Sequence, residues 1–182
     1  PAQQPVDNGF LGDSGAGWRV ETGNVELVRG ALDASEGWQS LELNGFVPGA
    51  IKADIEFSSA GLHLLSFDVS KHPYAESDAT LSVTVDGETT TETPIIISQA
   101  TASDSMAYQN VAIELNIATS GVYSLGFESG DLLDTDGINP FGAVIDRVQI
   151  TFADADNDGV NDALDTFPLD ASESVDSDGD GV

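Results

Sequence analysis

Twelve consecutive residues, Asp154-Ala155-Asp156-Asn157-Asp158-Gly159-Val160-Asn161-Asp162-Ala163-Leu164-Asp165, hold five carboxylates in a fixed register. Counted as a loop, the acids fall at positions 1, 3, 5, 9 and 12, with glycine at 6. That is the ligand spacing of a calcium loop of the EF-hand kind. Ca²⁺ is a hard cation that takes 6–8 oxygens, and alternating aspartates can fold back onto one centre. Gly159 permits the sharp turn, and the Val160 carbonyl is the expected ligand at position 7. The predicted donors are therefore Asp154, Asp156, Asp158, Val160, Asp162 and Asp165.

Two features depart from an EF-hand. Position 12 is Asp165, where an EF-hand has a bidentate Glu, and no 3.6-residue periodicity flanks the loop. The motif then restarts at Asp176-Ser177-Asp178-Gly179-Asp180-Gly181, after a Phe167-Pro168-Leu169-Asp170 spacer. Tandem loops of this kind, joined by a Phe-Pro and acidic spacer, resemble bacterial thrombospondin type 3 repeats over residues 154–182. The resemblance implies a segment with almost no apolar core that wraps around calcium, with Asp176, Asp178 and Asp180 as ligands of a second, truncated repeat. The plain alternative is a solvated acidic tail. Without calcium, so few apolar residues cannot offset chain entropy, so the segment is expected to be disordered then. A chain broken off inside a calcium loop suggests one module of a longer protein with covalently linked neighbouring domains.

The remainder, residues 1–153, must supply the scaffold. Apolar residues alternate from Trp18 to Val28, across Leu41–Leu43 and from Ala50 to Phe57. Leu62 to Val69 reads as a strongly apolar strand, Leu81, Val83 and Val85 give period two, and Ile95 to Ile97, Val111 to Ile117, Val122 to Phe127 and Val144 to Phe152 complete the set. Asp86-Gly87 reads as a hairpin turn. About nine strands at roughly 8–15-residue spacing, with no convincing helix, predict an all-β antiparallel sandwich or barrel. The connections 70–79, 99–107 and 130–142 would lie at its ends, where function on such scaffolds usually sits.

Composition narrows the chemistry. The 182 residues carry 32 acids against 5 bases, a net charge of −27. Ten of the acids lie in 154–182, leaving the body at −17. So acidic a body repels nucleic acid and anionic lipid, which excludes both as expected partners. There is no cysteine and no apolar run of 18 residues, so neither a disulfide framework nor a membrane-spanning segment is expected. The charge suits a secreted, extracellular protein, free or attached to a cell surface, in a calcium-rich medium.

The body also carries a family resemblance. Gly17-Trp18, Val20, Gly23, Val25-Glu26 and Gly37-Trp38-Gln39-Ser40-Leu41-Glu42-Leu43-Asn44-Gly45 come first. Pro48-Gly49-Ala50-Ile51, Gly61, Leu65-Ser66-Phe67-Asp68 and Phe141-Gly142, Ile145-Asp146, Val148 follow. These resemble bacterial choice-of-anchor C domains and their plant cell-wall relatives, in the galactose-binding-like jelly-roll superfamily. The resemblance implies a jelly roll that binds glycans or cell-wall polymers. It also implies a structural calcium where first and last strands meet, with Asp146 as a ligand and Asp7, Asn8 or Asp13 as its partners. Equally, Asp146 could cap a turn through backbone hydrogen bonds.

Glycan binding needs an aromatic face and a few planar polar groups. Trp38, which precedes a strand, is one candidate. Lys71, His72 and Tyr74 share a loop, Tyr108 sits in another, and Asn139 and Phe141 in a third. Each alone is as well explained by structure; convergence of the loops would make a site. Catalysis lacks support, with no cysteine nucleophile, no Gly-x-Ser-x-Gly elbow and no pair of histidines at metal spacing. The expectation is a non-catalytic carbohydrate-binding module with a calcium-stabilised linker, part of a secreted bacterial polysaccharide-active protein. An adhesin or surface spacer is the alternative, and a glycoside hydrolase the third.

Overall fold

Stretches with alternating apolar residues, such as Ala50–Phe57 and Ala79–Val85, fold as strands here. The computed structural model describes residues 17–29, 32–86, 88–89, 94–98, 105–131, 141–156, 158–162 and 165–173. Among them are β1 (Arg19–Thr22), β2 (Glu26–Arg29), β3 (Gln39–Glu42), β4 (Ala50–Phe57), β5 (Gly61–Lys71) and β6 (Ala79–Val85). They continue with β7 (Glu88–Thr89), β8 (Ile95–Ile97), β9 (Gln109–Ile117), β10 (Gly121–Ser129) and β11 (Ala143–Phe152). One sheet runs β1-β4-β10-β6-β7, with β8 also paired to β6, and the other β2-β3-β11-β5-β9. Every pairing is antiparallel. The expected all-β antiparallel sandwich is what the chain forms.

The inner faces meet in one core. Leu41, Ile51, Leu65, Phe67, Val69, Leu81, Val83, Leu125, Phe127 and Ile145 are fully buried, with Trp18 at the margin. The rings of Phe67 and Phe127 meet edge-on at 5.0 Å, and Trp18 lies 5.6 Å from Phe127.

The stretch from Trp18 to Val28 differs from its reading as one strand. β1 pairs with β4 and β2 with β3, in different sheets. Gly23, at φ +60°, makes the switch, because a side chain there would strike the Pro48 carbonyl. Such tight backbone contact leaves room only for glycine.

The outward face of the second sheet is not left to water. Ser40, Glu42, Asp68, Ser70 and Asp146 lie on it, yet all are buried. Part of the roof is the β2–β3 connection. Asp146 Oδ2 accepts the backbone N–H groups of Ser35 (2.8 Å) and Glu36 (3.0 Å). Ser35 Oγ donates to Asp68 Oδ2 at 2.7 Å. A register shift between Asp146 and Gln149, with Arg147 at φ +48°, turns the Arg147 guanidinium onto both Asp68 oxygens at 3.1 Å. Burial alone would raise the Asp68 carboxyl, but Asn110, Ser35 and Arg147 together hold it below its ordinary value.

Candidate functional site

β5 crosses the whole sandwich, so its two termini define two ends about 35 Å apart. At the Lys71 end, the ladder with β11 continues one step, with the His72 N–H donating to the Gly142 carbonyl (2.9 Å). A turn follows, closed by Ala75 N–H on the His72 carbonyl. It brings the Tyr74 N–H to His72 Nδ1 at 3.2 Å, so the neutral ring carries its proton on Nε2. Phe141 stacks on His72 at 4.5 Å and 20°, and Tyr74 stands edge-on to Phe141 at 5.8 Å. Buried His72 thus supports a surface formed by half-buried Phe141 and exposed Tyr74.

Glu42 lies beneath this cluster, 2% exposed. Its Oε1 accepts the Gly142 N–H (2.9 Å), and its Oε2 is 3.9 Å from His72 Nε2. Desolvation, with smaller contributions from Glu26 and Asp131, pushes the Glu42 carboxyl up to about 8 against the Gly142 hydrogen bond. Burial moves His72 the other way, below its ordinary value. Both groups are therefore neutral at pH 7, and the 3.9 Å approach is no ion pair. Asp131 closes the floor, accepting from Thr80 N–H (2.7 Å), Thr80 Oγ1 (2.9 Å) and Asn44 Nδ2 (3.3 Å).

Three candidates from two separate loops converge here, His72 and Tyr74 from one and Phe141 from the other. Lys71, the last residue of β5, adjoins them half-buried. Trp38, 89% exposed, sits at the opposite end of β3 from Glu42, on the β2–β3 connection. Tyr108 lies on the outward sheet face beside Ser40, where burial pushes its phenol up to about 12. Asn139 lies outside the described residues. The sequence reading passed over Phe46, 60% exposed at the same end as Tyr74. Asn24 Oδ1 pins its loop by accepting the N–H groups of Phe46 and Val47 at 2.9 and 3.0 Å. The Asn44-Gly45 turn signal placed the loop, but nothing in it marked the next residue as an exposed ring.

At the Gly61 end of β5 the chain leaves β11 and forms the acidic loop. One oxygen of each aspartate ties the loop. Gly159 N–H donates to Asp154 Oδ2, Asp158 N–H to Asp156 Oδ1, and Val160 N–H to Asp158 Oδ1. Ala155 N–H donates to Asp162 Oδ1, and Phe167 N–H to Asp165 Oδ1. Gly159 takes the turn at φ +93°. The other oxygens of Asp154, Asp156 and Asp165 are buried with no hydrogen-bond partner among the described residues. One oxygen each from Asp154, Asp156 and Asp158 lie within 4.8 Å of one another. Oxygens about 2.4 Å from a shared ion cannot be farther apart than about 4.8 Å, so these three carboxylates meet the spacing that a shared Ca²⁺ requires. Partial desolvation and the charges of Asp158, Asp165 and Asp154 raise the Asp156 carboxyl. Asp176, Asp178 and Asp180 lie outside the described residues, as do Asp7, Asn8 and Asp13. Asp146 has its oxygens on backbone N–H groups of Ser35, Glu36 and Arg147.

No protein-family model matches the chain, and no curated protein does. Among solved structures, it is similar to a family 35 carbohydrate binding module from Clostridium thermocellum. That likeness has 13% identity and a TM-score of 0.52, over 78% of this chain and 95% of that one. It is also similar to Xyl-CBM35 in complex with a glucuronic acid containing disaccharide. There the identity is 14% and the TM-score 0.50, over 78% and 91% of the two chains. At such identities the likeness speaks to fold, an antiparallel two-sheet sandwich of the jelly-roll kind.

Proposed function

We propose that this chain is a non-catalytic carbohydrate-binding module of a larger secreted bacterial protein, with a calcium-holding segment at its C-terminal side. The convergence of Phe141 with His72 and Tyr74, from two distant parts of the chain, carries the reading. Stacked rings held by a ladder bond and a turn offer a preformed apolar face, which suits the apolar side of a sugar ring. That similar folds include carbohydrate-binding modules agrees with this, although fold alone does not give function. The −17 body has little to pair with sulfates or uronates, so the ligand is a neutral or cationic polysaccharide unless calcium bridges the acids. Asp154, Asp156, Asp158 and Asp165, with Asp162 and the Val160 carbonyl, would hold the ion, which stiffens a loop too polar to order by packing.

Affinity electrophoresis against neutral and anionic polysaccharides, with and without calcium, tests the glycan reading. The parent should be retarded by a neutral polymer, and Tyr74→Ala and Phe141→Ala should each weaken retardation about 5–30-fold, the loss of about 1–2 kcal/mol of ring contact. Trp38→Ala, remote from the cluster, should change little. Retention of no polymer would favour a spacer or adhesin segment. Release of reducing ends would mark a hydrolase. Tightest binding to an anionic polymer in chelator would refute the charge argument.

A further inference from the structure

The acidic loop is not an appendage hanging from β11. Between its aspartates stands Asn161, 2% exposed, with its carboxamide inserted against the start of β5. Asn161 Oδ1 accepts the Leu62 N–H at 2.8 Å, and Nδ2 donates to the Leu62 carbonyl (2.6 Å) and the Ala153 carbonyl (2.8 Å). A carboxamide has the same donor and acceptor as a peptide group, so it can stand in for one. The β5–β11 ladder ends at His63–Phe152, and Ala153 N–H adds one more bond to the Leu62 carbonyl. Beyond that point the side chain of Asn161 takes over from the departing strand.

The receiving surface is shaped for it. Gly61 sits at φ +121°, and a Cβ there would lie 2.7 Å from Asn161 Cγ. The loop's own bonds hold Asn161 in place, with Asp162 N–H on the Ala153 carbonyl and Asp165 N–H on the Asn161 carbonyl, both 3.0 Å. Asn161 follows closely on Asp154, Asp156 and Asp158, whose oxygens approach one another, and is tied to Asp165 by its own carbonyl. Asp165, nine-tenths buried, keeps Oδ2 without a hydrogen-bond partner among the described residues.

We propose that Asn161 is a calcium-operated clamp: an ion drawing Asp154, Asp156, Asp158 and Asp165 together fixes the turn that presses Asn161 onto Gly61 and Leu62. This rests on the calcium reading of the loop and extends it. The ion then stabilises the sandwich itself, because any ligand that binds only the closed loop shifts the equilibrium toward the clamped state. Sandwich and acidic segment become one cooperative unit with calcium and loosen at a shared seam without it.

The test uses the full chain, with the parent, Asn161→Ala and Gly61→Ala compared in calcium and in chelator. Calorimetry measures ion binding. Near-ultraviolet circular dichroism follows melting of the core, in which Trp18 is packed. Hydrogen exchange of the peptide spanning 61–64 reads the clamp directly. In the parent, calcium at about 100 times its dissociation constant should raise the core melting midpoint by about 5–10 °C and slow exchange at 61–64. Asn161→Ala keeps every carboxylate, so it should still give binding heat but lose the rise and the slowing. Gly61→Ala should do the same by crowding the carboxamide out. Binding heat in the parent without either response overturns the clamp and leaves the calcium loop standing. An undiminished rise and slowing in Asn161→Ala also overturn the clamp. No heat in the parent overturns both.

Discussion

Among the described residues, Glu42 is the carboxyl whose state departs furthest from what its neighbours in sequence suggest. Leu41-Glu42-Leu43 alternates like any half-buried strand, which would put the carboxylate in water. The carboxyl is instead covered by a roof that comes from far along the chain, with Gly142 donating to it and His72 facing it. Its pKa rises from an ordinary 4.5 to about 8. Between those values the folded chain keeps a proton that the unfolded chain has released. Its contribution to stability is therefore fully present below about pH 4.5 and is lost as pH rises toward 8, by at most about 1.4 kcal/mol per unit. His72, shifted down, acts oppositely and only below its ordinary 6.5. Glu42→Gln keeps an acceptor for Gly142 and removes the titration. Urea midpoints measured from pH 6.5 to 8 should fall in the parent and stay flat in the variant; parallel curves would rule this out. The site was legible to the same limit. Residue chemistry pointed to His72, Tyr74 and Phe141, but which candidates meet depends on strand register. Trp38 and Tyr108 were therefore indistinguishable from the residues that do converge.

At the scale of elements, periodicity carried most of the architecture. Ala50–Phe57 forms a strand over the span its alternation marks, the apolar run Ile95–Ile97 forms a short one, and β6 and β7 pair antiparallel on either side of the expected turn. Alternation cannot say which sheet a strand joins. The break at Gly23, which sends β1 and β2 to different sheets, depends on the close approach of Pro48. Nor could it show that the β2–β3 connection folds back over its own sheet. Asp146 holds that connection by accepting two of its N–H groups, and removing the acceptor strands both donors. Asp146→Ala should cost about 2–3 kcal/mol, read as a lower urea midpoint. The same variant should lower the fluorescence anisotropy of Trp38, two residues beyond Glu36, while buried Trp18 stays unchanged. Unchanged anisotropy at Trp38 would show that the connection is held by something else.

For the molecule as a whole, charge is the dominant quantity. At −27, self-repulsion opposes the compact state, and salt shortens its range from about 10 Å at 0.1 M to about 3 Å at 1 M. In chelator, the melting midpoint should therefore climb with sodium chloride concentration. A midpoint that falls would mean that local pairs such as Arg19–Asp54 and Arg147–Asp68 matter more than the net field. The two sites sit at opposite ends of β5, with the ring cluster past Lys71 and the acidic loop against Gly61. In mechanical terms that placement sets the direction of load. With a polymer gripped at the ring end and tension drawn through the loop, force runs along β5 and β11. Such a pull shears the ladder, so the hydrogen bonds from Ala143 to Phe152 bear it side by side. A pull across the strands would open the same bonds one after another, at far lower force.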